Sequence, residues 1–213
     1  MDWDLYVIID QNLVKRGFED TVRKVIFGGA KILQLRCKEM TDQKFLKVAK
    51  EVSEIVRHEG VSYIINDRID IALAVDASGV HLGQDDLPAA IARHLLGDKR
   101  IIGISTHSLK EALEAESSGA TYIAVGSIYK TLTKSPAKEP IGIDLISKIK
   151  DKINLPIIAV GGINGENVDE VIRAGATGVA VGRAILESDD ITFATQSLLR
   201  KIREVKRSME RNS

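Results

Sequence analysis

Gly28-Gly29-Ala30-Lys31-Ile32-Leu33-Gln34-Leu35-Arg36-Cys37-Lys38 runs from a helix stop, through a buried strand, into a cluster of polar side chains. Gly28-Gly29 closes a helix expected from Phe18 to Phe27. The apolar approach from Ala30 to Leu35 reads as a strand over Lys31 to Arg36. Gln34 and Arg36 are two apart, so they project to one side of that strand, and Lys38 follows where the strand gives out. An amide, a guanidinium and an ammonium at one strand end suit a ligand with several negative oxygens, since Arg offers a planar fork and Lys a point charge. The bland alternative is a snorkelling Arg and a solvated Lys.

The same phrase recurs outward from this stretch. Gly29-Ala30, Gly119-Ala120 and Gly175-Ala176 each precede a strand. Leu5–Ile9, Val61–Ile65, Gly79–Leu82, Ile101–Ile104, Thr121–Val125, Pro156–Val160 and Gly178–Val181 read as further strands. Between them, Phe45, Val48, Ala49, Val52, Ile55 and Val56 keep helical spacing after a start at Thr41-Asp42. Helices are also expected over Ile69–Ala74, Pro88–Leu96, Leu109–Ser117, Ile143–Ile149, Asn167–Ala174 and Phe193–Val205. Most of the strands are unbroken apolar runs rather than alternating ones, as parallel strands buried on both faces require. About eight strand–helix units predict an α/β fold, a (β/α)8 TIM barrel, formed as a single domain over residues 1–213 with a tail from residue 206 to 213 expected to fray. The competing open, doubly wound sheet lacks its Gly-x-Gly-x-x-Gly after the first strand.

The bulk properties agree. The chain has 213 residues, 44% apolar and 28% charged, with 30 basic and 30 acidic side chains and zero formal net charge. That balance argues against nucleic-acid or membrane binding through bulk charge. One cysteine, Cys37, rules out an intramolecular disulfide, and Met1-Asp2-Trp3-Asp4 has no signal-peptide pattern, so a cytoplasmic protein is expected. Association into a homo-oligomer stays open.

Active sites of such barrels are built from the loops after the strands. Those loops carry Gln34, Arg36 and Lys38; Asn66, Asp67 and Arg68; Gln84, Asp85 and Asp86; Ser105 and His107; Thr131, Thr133 and Lys134; Gly161 and Gly162; Gly182 and Arg183. The polar connection from 126 to 140 is the longest, and loops of that length inside a compact domain are more often functional than idle. Asp67 and Asp86, on adjacent loops, suit Mg²⁺, with helix capping as the alternative. Gly161-Gly162 and Gly182 follow the last two strands, where barrels of this kind hold phosphate, with tight turns as the alternative. His107 reads as a first-turn residue of the fifth helix, and Cys37 as a packed thiol.

Taken together, these residues resemble the thiamine-phosphate synthase family over nearly the whole chain, from the first strand to about Leu186. The matching signatures are Gln34-Leu35-Arg36-Cys37-Lys38, Asn66-Asp67, His81-Leu82-Gly83-Gln84-Asp85-Asp86, Ser105-Thr106-His107, Thr131-Leu132-Thr133-Lys134 and Gly161-Gly162-Ile163. The resemblance implies a transferase that joins 4-amino-2-methyl-5-hydroxymethylpyrimidine diphosphate to a thiazole phosphate, plain or carboxylated, and releases pyrophosphate. It implies that Gln34, Leu35, Arg36, Cys37, Lys38, Asn66, Ser105 and Lys134 hold the pyrimidine diphosphate. Arg36, Lys38, Lys134 and Ser105 would be the catalytic residues. Asp67 and Asp86 would hold Mg²⁺. Thr131, Leu132, Thr133, Gly162, Gly182 and Arg183 would hold the thiazole phosphate. The chain departs from the family at Lys130, where Pro is usual, and at Gly182 and Arg183, where an apolar residue and Ser are common. A thiazole tautomerase on the same scaffold and a non-catalytic phospho-ligand-binding barrel are the alternatives. The intact Asn-Asp, Gln-x-Asp and Thr-x-Thr-Lys sets disfavour the first, and the paired carboxylates disfavour the second.

Overall fold

The computed structural model describes residues 2–131 and 139–211. Its strands are β1 (Leu5–Asp10), β2 (Ile32–Arg36), β3 (Ser62–Asn66), β4 (Gly79–Leu82), β5 (Ile101–Thr106), β6 (Tyr122–Gly126), β7 (Ile157–Val160) and β8 (Gly178–Val181). All pair in parallel in chain order, and β8 returns to β1 through Leu5↔Val179 and Val7↔Val181, so the sheet closes into a barrel. Helices α1 (Phe18–Phe27), α2 (Asp42–Val56), α3 (Ile69–Ala74), α4 (Ala89–Leu96), α5 (Leu109–Ser117), α6 (Asp144–Lys150) and α7 (Val168–Arg173) alternate with them. The expected (β/α)8 architecture is therefore the one observed.

The period-two alternation of a strand divides the core into two. Val7, Leu33, Ile65, Val80, Ile102, Val125, Ala159 and Val179 face outward and pack on helix residues such as Val22, Phe45, Ala49 and Ile146. Tyr6, Ile32, Ile64, Ile101, Tyr122 and Ile158 fill the inside. Gly103 lets Tyr122 cross this interior, since a Cβ at Gly103 would stand 2.0 Å from the Tyr122 ring. The same inward register, continued toward the strand ends, sets Asp10 beside Arg36 and Asn66 beside His81.

The C-terminal part differs from expectation in two places. Gly182-Arg183 does not simply turn: it opens a one-turn helix, α8 (Arg183–Leu186). The last helix, α9 (Ile191–Glu210), starts two residues earlier than Phe193 and continues through Lys206–Glu210, which had been expected to fray. Asp190 caps its start by accepting from Phe193 N at 2.9 Å. Its end is tied down: Lys206 Nζ donates to Asp4 Oδ1 at 2.5 Å and to Thr177 O at 2.6 Å, and Arg203 reaches Asp4 Oδ2 at 3.0 Å and Asp2 Oδ2 at 2.7 Å. Polar composition alone gives no sign of such tertiary anchoring.

Candidate active site

The polar end of β2 behaves as strand geometry requires. Gln34, 3% exposed, and Arg36 point into the barrel mouth. Leu35 and Cys37 face the helical layer and are buried there, so a ligand in the mouth could meet them only through main chain. Burial, with the Asp10 charge adding to it, pushes the Cys37 thiol up to about 12, which makes it a packed thiol rather than a nucleophile. Arg36 donates to Asp10, a buried carboxylate on the neighbouring strand that sequence reading left out. The signal for Asp10 was its place at the end of an apolar run, two residues beyond inward Ile8.

Asp67 follows β3 in a left-handed conformation, φ 62°, which Asp tolerates better than most residues. Its amide donates to His81 O at 2.9 Å, and its carboxylate meets Lys38 Nζ at 2.9 Å. Asp86 Oδ2 accepts from Gly83 N at 2.6 Å, closing the turn after β4. Neither caps the next helix: those positions belong to Arg68 and Pro88. Burial raises the Asp67 pKa above its ordinary value; the hydrogen bond with Asp86 and its charge push the same way, against the pull of Lys38. Two carboxylates crowded together in this manner are relieved by a cation.

Ser105 and His107 lie at the end of β5. Ser105 Oγ is 2.9 Å from His81 Nε2, and Gln84 Nε2 donates to Ser105 O at 2.6 Å. His107 stands just ahead of α5, where Ser108 Oγ accepts from Glu111 N at 3.2 Å, and Glu111 Oε2 accepts from His107 N at 2.7 Å and meets His107 Nδ1 at 3.1 Å.

Two adjoining cavities occupy the mouth. One, of about 320 Å³, is lined by Gln34, Lys38, Asn66, Asp67, Asp86 and Ser105, with Tyr6, His81 and Tyr122 at its floor. The other, of about 400 Å³, is lined by Gly161, Gly162, Gly182, Arg183, Lys130 and Asp10. Arg36, Ser127 and Thr131 border both. Gly162 holds φ 66°, and a Cβ there would stand 2.7 Å from Lys130 O, so the residue must be glycine for the loop after β6 to lie against it. Arg183 pairs with Glu187 one turn along α8 while still lining the cavity. Leu132, Thr133 and Lys134 lie outside the described residues. The sequence reading missed Tyr6 and Tyr122, whose hydroxyls are rare polar tips among aliphatic strand residues.

Comparison with known proteins adds a family to this geometry. The family model described as "Thiamine monophosphate synthase" matches residues 5–185. The thiamine-phosphate synthase of Clostridium botulinum is 47% identical over 93% of this chain and 98% of its own length. That of Chloroflexus aurantiacus is 45% identical over 93% of this chain and 92% of its own. Among solved structures, thiamine phosphate pyrophosphorylase from Pyrococcus furiosus superposes with a TM-score of 0.87 at 36% identity, covering 96% of this chain and 97% of its own. A 3-hexulose-6-phosphate synthase superposes with a TM-score of 0.69 at 18% identity, covering 93% of this chain and 99% of its own, and shares the fold alone. Matched across almost the whole barrel, the chain belongs to the thiamine monophosphate synthase family.

Proposed function

We propose that the two cavities receive the two substrates of a thiamine-phosphate synthase: the pyrimidine diphosphate in the carboxylate-lined one, the thiazole phosphate in the glycine-lined one. The observation that carries this reading is their junction at Arg36, which borders both. A reaction that breaks a bond to diphosphate and makes one to a second substrate needs its cation at that boundary.

In this reading Gln34 and Ser105 orient the pyrimidine. Arg36 and Lys38 bind the diphosphate, and their fixed charges meet the negative charge that grows on it as the C–O bond breaks. The pyrimidine-methyl cation left behind is stabilised by its amino-substituted ring, and the thiazole nitrogen attacks it. No protein nucleophile is required, in keeping with the raised, outward-facing thiol of Cys37. Gly162 and Gly182 allow the phosphate of the second substrate close to backbone, with Thr131 and Arg183 beside it.

The donor set fits Mg²⁺: Asp67 and Asp86 supply two facing carboxylates, and Mg²⁺ takes one or two protein carboxylates and completes its shell with water and phosphate oxygens. When bound, Mg²⁺ would neutralise diphosphate oxygens. We place the protein in the cytoplasm on its small phosphorylated substrates and its single unpaired cysteine; no described helix is long and apolar enough to cross a membrane.

The test is pyrophosphate release followed with each substrate alone and with both, with and without Mg²⁺. Release that requires both substrates and the metal supports the reading. Release from the pyrimidine diphosphate alone at the full rate, or isomerisation of a thiazole carboxylate without the diphosphate, would overturn it.

A further inference from the structure

A chain of hydrogen bonds crosses the floor of the smaller cavity. Gln34 Nε2 donates to Tyr6 OH at 2.8 Å, and the Tyr6 and Tyr122 hydroxyls are 2.9 Å apart. Tyr122 OH is 2.9 Å from His81 Nδ1, and His81 Nε2 is 2.9 Å from Ser105 Oγ. Five side chains from β2, β1, β6, β4 and β5 thus form one line across the barrel. Tyr6 and Tyr122 are 1% and 0% exposed, and burial raises both phenols above their ordinary pKa, so each keeps its single hydrogen.

One hydrogen per hydroxyl gives the line a direction. Tyr6 already accepts from Gln34, so its own hydrogen has Tyr122 as its acceptor. Were Tyr122 to donate to Tyr6 instead, the Tyr6 hydrogen would be orphaned in a closed interior, which is costly. Tyr122 then donates to His81 Nδ1. A neutral imidazole with an accepting Nδ1 carries its proton on Nε2, and that proton goes to Ser105 Oγ. Two consequences reach the cavity. The Ser105 hydrogen is left to donate outward, and Gln34, with its nitrogen turned to Tyr6, presents its carbonyl oxygen as an acceptor.

We propose that Tyr6, Tyr122 and His81 are positioning residues that lock the hydrogen-bond polarity of this cavity, so that it selects a heteroaromatic ring bringing an exocyclic amino donor to Gln34 and a lone-pair acceptor to Ser105. This rests on the assignment of the pyrimidine to that cavity and adds what discriminates the ring. An analogue with an oxo group in place of the amino group would set acceptor against acceptor at Gln34. Sites built to satisfy one hydrogen-bond pattern reject its inverse strongly, because a buried group is left unpaired.

The polarity is read directly by nitrogen NMR of the histidine-labelled, ligand-free protein. His81 is expected as the tautomer protonated on Nε2, with a pyridine-like Nδ1. In Tyr122→Phe, which removes only a hydroxyl, that single tautomer should give way to a mixture. Preference for the amino pyrimidine diphosphate over its oxo analogue, measured as kcat/KM, should fall about tenfold or more, chiefly through KM. Tyr6→Phe should lower the same preference while leaving the His81 tautomer in place, since Tyr122 keeps its donor; it also serves if Tyr122→Phe does not fold. A wild-type His81 protonated on Nδ1, or an unchanged preference in Tyr6→Phe, would overturn the proposal. Absence of any turnover of the amino substrate by the wild type would instead sink the proposed function, while the ligand-free tautomer would still decide the polarity.

Discussion

Arg36→Ala should cost the protein stability as well as rate, and the two losses can be separated. Arg36 is 17% exposed at its side chain, and its partner Asp10 only 1%. Removing the guanidinium leaves a buried carboxylate whose other partner is Asn12 N at 2.9 Å. Breaking such a pair from one side costs roughly 3–5 kcal/mol, because the remaining charge stays buried without its counter-ion. For a chain of this size each kcal/mol moves Tm by about 2–4 °C, so a fall of roughly 6–20 °C is expected. The double variant Arg36→Ala/Asp10→Asn removes the stranded charge and should recover most of that loss in thermal and urea unfolding. It should recover none of the activity. Single-turnover rates at saturating substrates should stay down by about 10²–10³-fold, the range for one preorganised charge-stabilising donor. Arg36→Lys should restore stability better than rate, since a point charge can answer Asp10 but cannot reproduce the fork. The reasoning fails if Arg36→Ala melts within a degree or two of the parent, if the double variant is no more stable than the single, or if the chemical step keeps its wild-type rate with only KM raised.

The carboxylate pair makes an opposite prediction. Asp67 has its pKa raised from 3.8, chiefly by burial, so the folded state holds that proton more tightly than the unfolded one, and stability falls as pH rises from 3.8 through the raised value. Asp67→Asn, which also suits a positive φ, should therefore melt higher than the parent at neutral pH in chelator, yet be inactive and no longer stabilised by added Mg²⁺; a lower melting point would refute the crowding argument. Arg183 is shared between Glu187 and the glycine-lined cavity. Glu187→Gln should tighten thiazole phosphate binding in calorimetry and Arg183→Ser should weaken it about tenfold or more, as for a charge-assisted hydrogen bond of roughly 1.5–3 kcal/mol; unchanged affinity in both would show that Arg183 serves α8 alone. Cys37, buried with its thiol pushed up to about 12, should resist alkylation at neutral pH until the chain unfolds, which mass spectrometry across a urea series would detect.

The barrel was legible because its strands and helices announce themselves locally. The runs at 5–9, 122–125 and 157–160 are apolar without interruption, and Gly29-Ala30, Gly119-Ala120 and Gly175-Ala176 mark the return to the sheet. The period-two rule also places Gln34 and Arg36 on one face and sends Leu35 and Cys37 to the other, although all four belong to one family signature. Neighbours across strands were not legible. Asp10 meets Arg36, and Tyr6 meets Tyr122, through registers that only the closed sheet defines. The helical state of Lys206–Glu210 depends in the same way on carboxylates some two hundred positions earlier, and Lys134 and Thr133 lie beyond the described residues.

Those carboxylates have a consequence during synthesis. β1 is made before the other strands, and one of its edges must wait for β8, just as Asp2 and Asp4 must wait for Arg203 and Lys206 on α9. For most of translation the nascent chain thus carries an unpaired strand edge, the kind of surface that joins one chain to another. Two aspartates flanking that edge give it a negative charge, and charge is a common guard against edge pairing. The guard becomes a latch when the basic turns of α9 emerge, because the ion pairs that neutralise it also draw the last helix across the seam between β1 and β8. A chain stalled before Arg203 would keep the charge and lack the latch, remaining soluble but open to quality-control proteases.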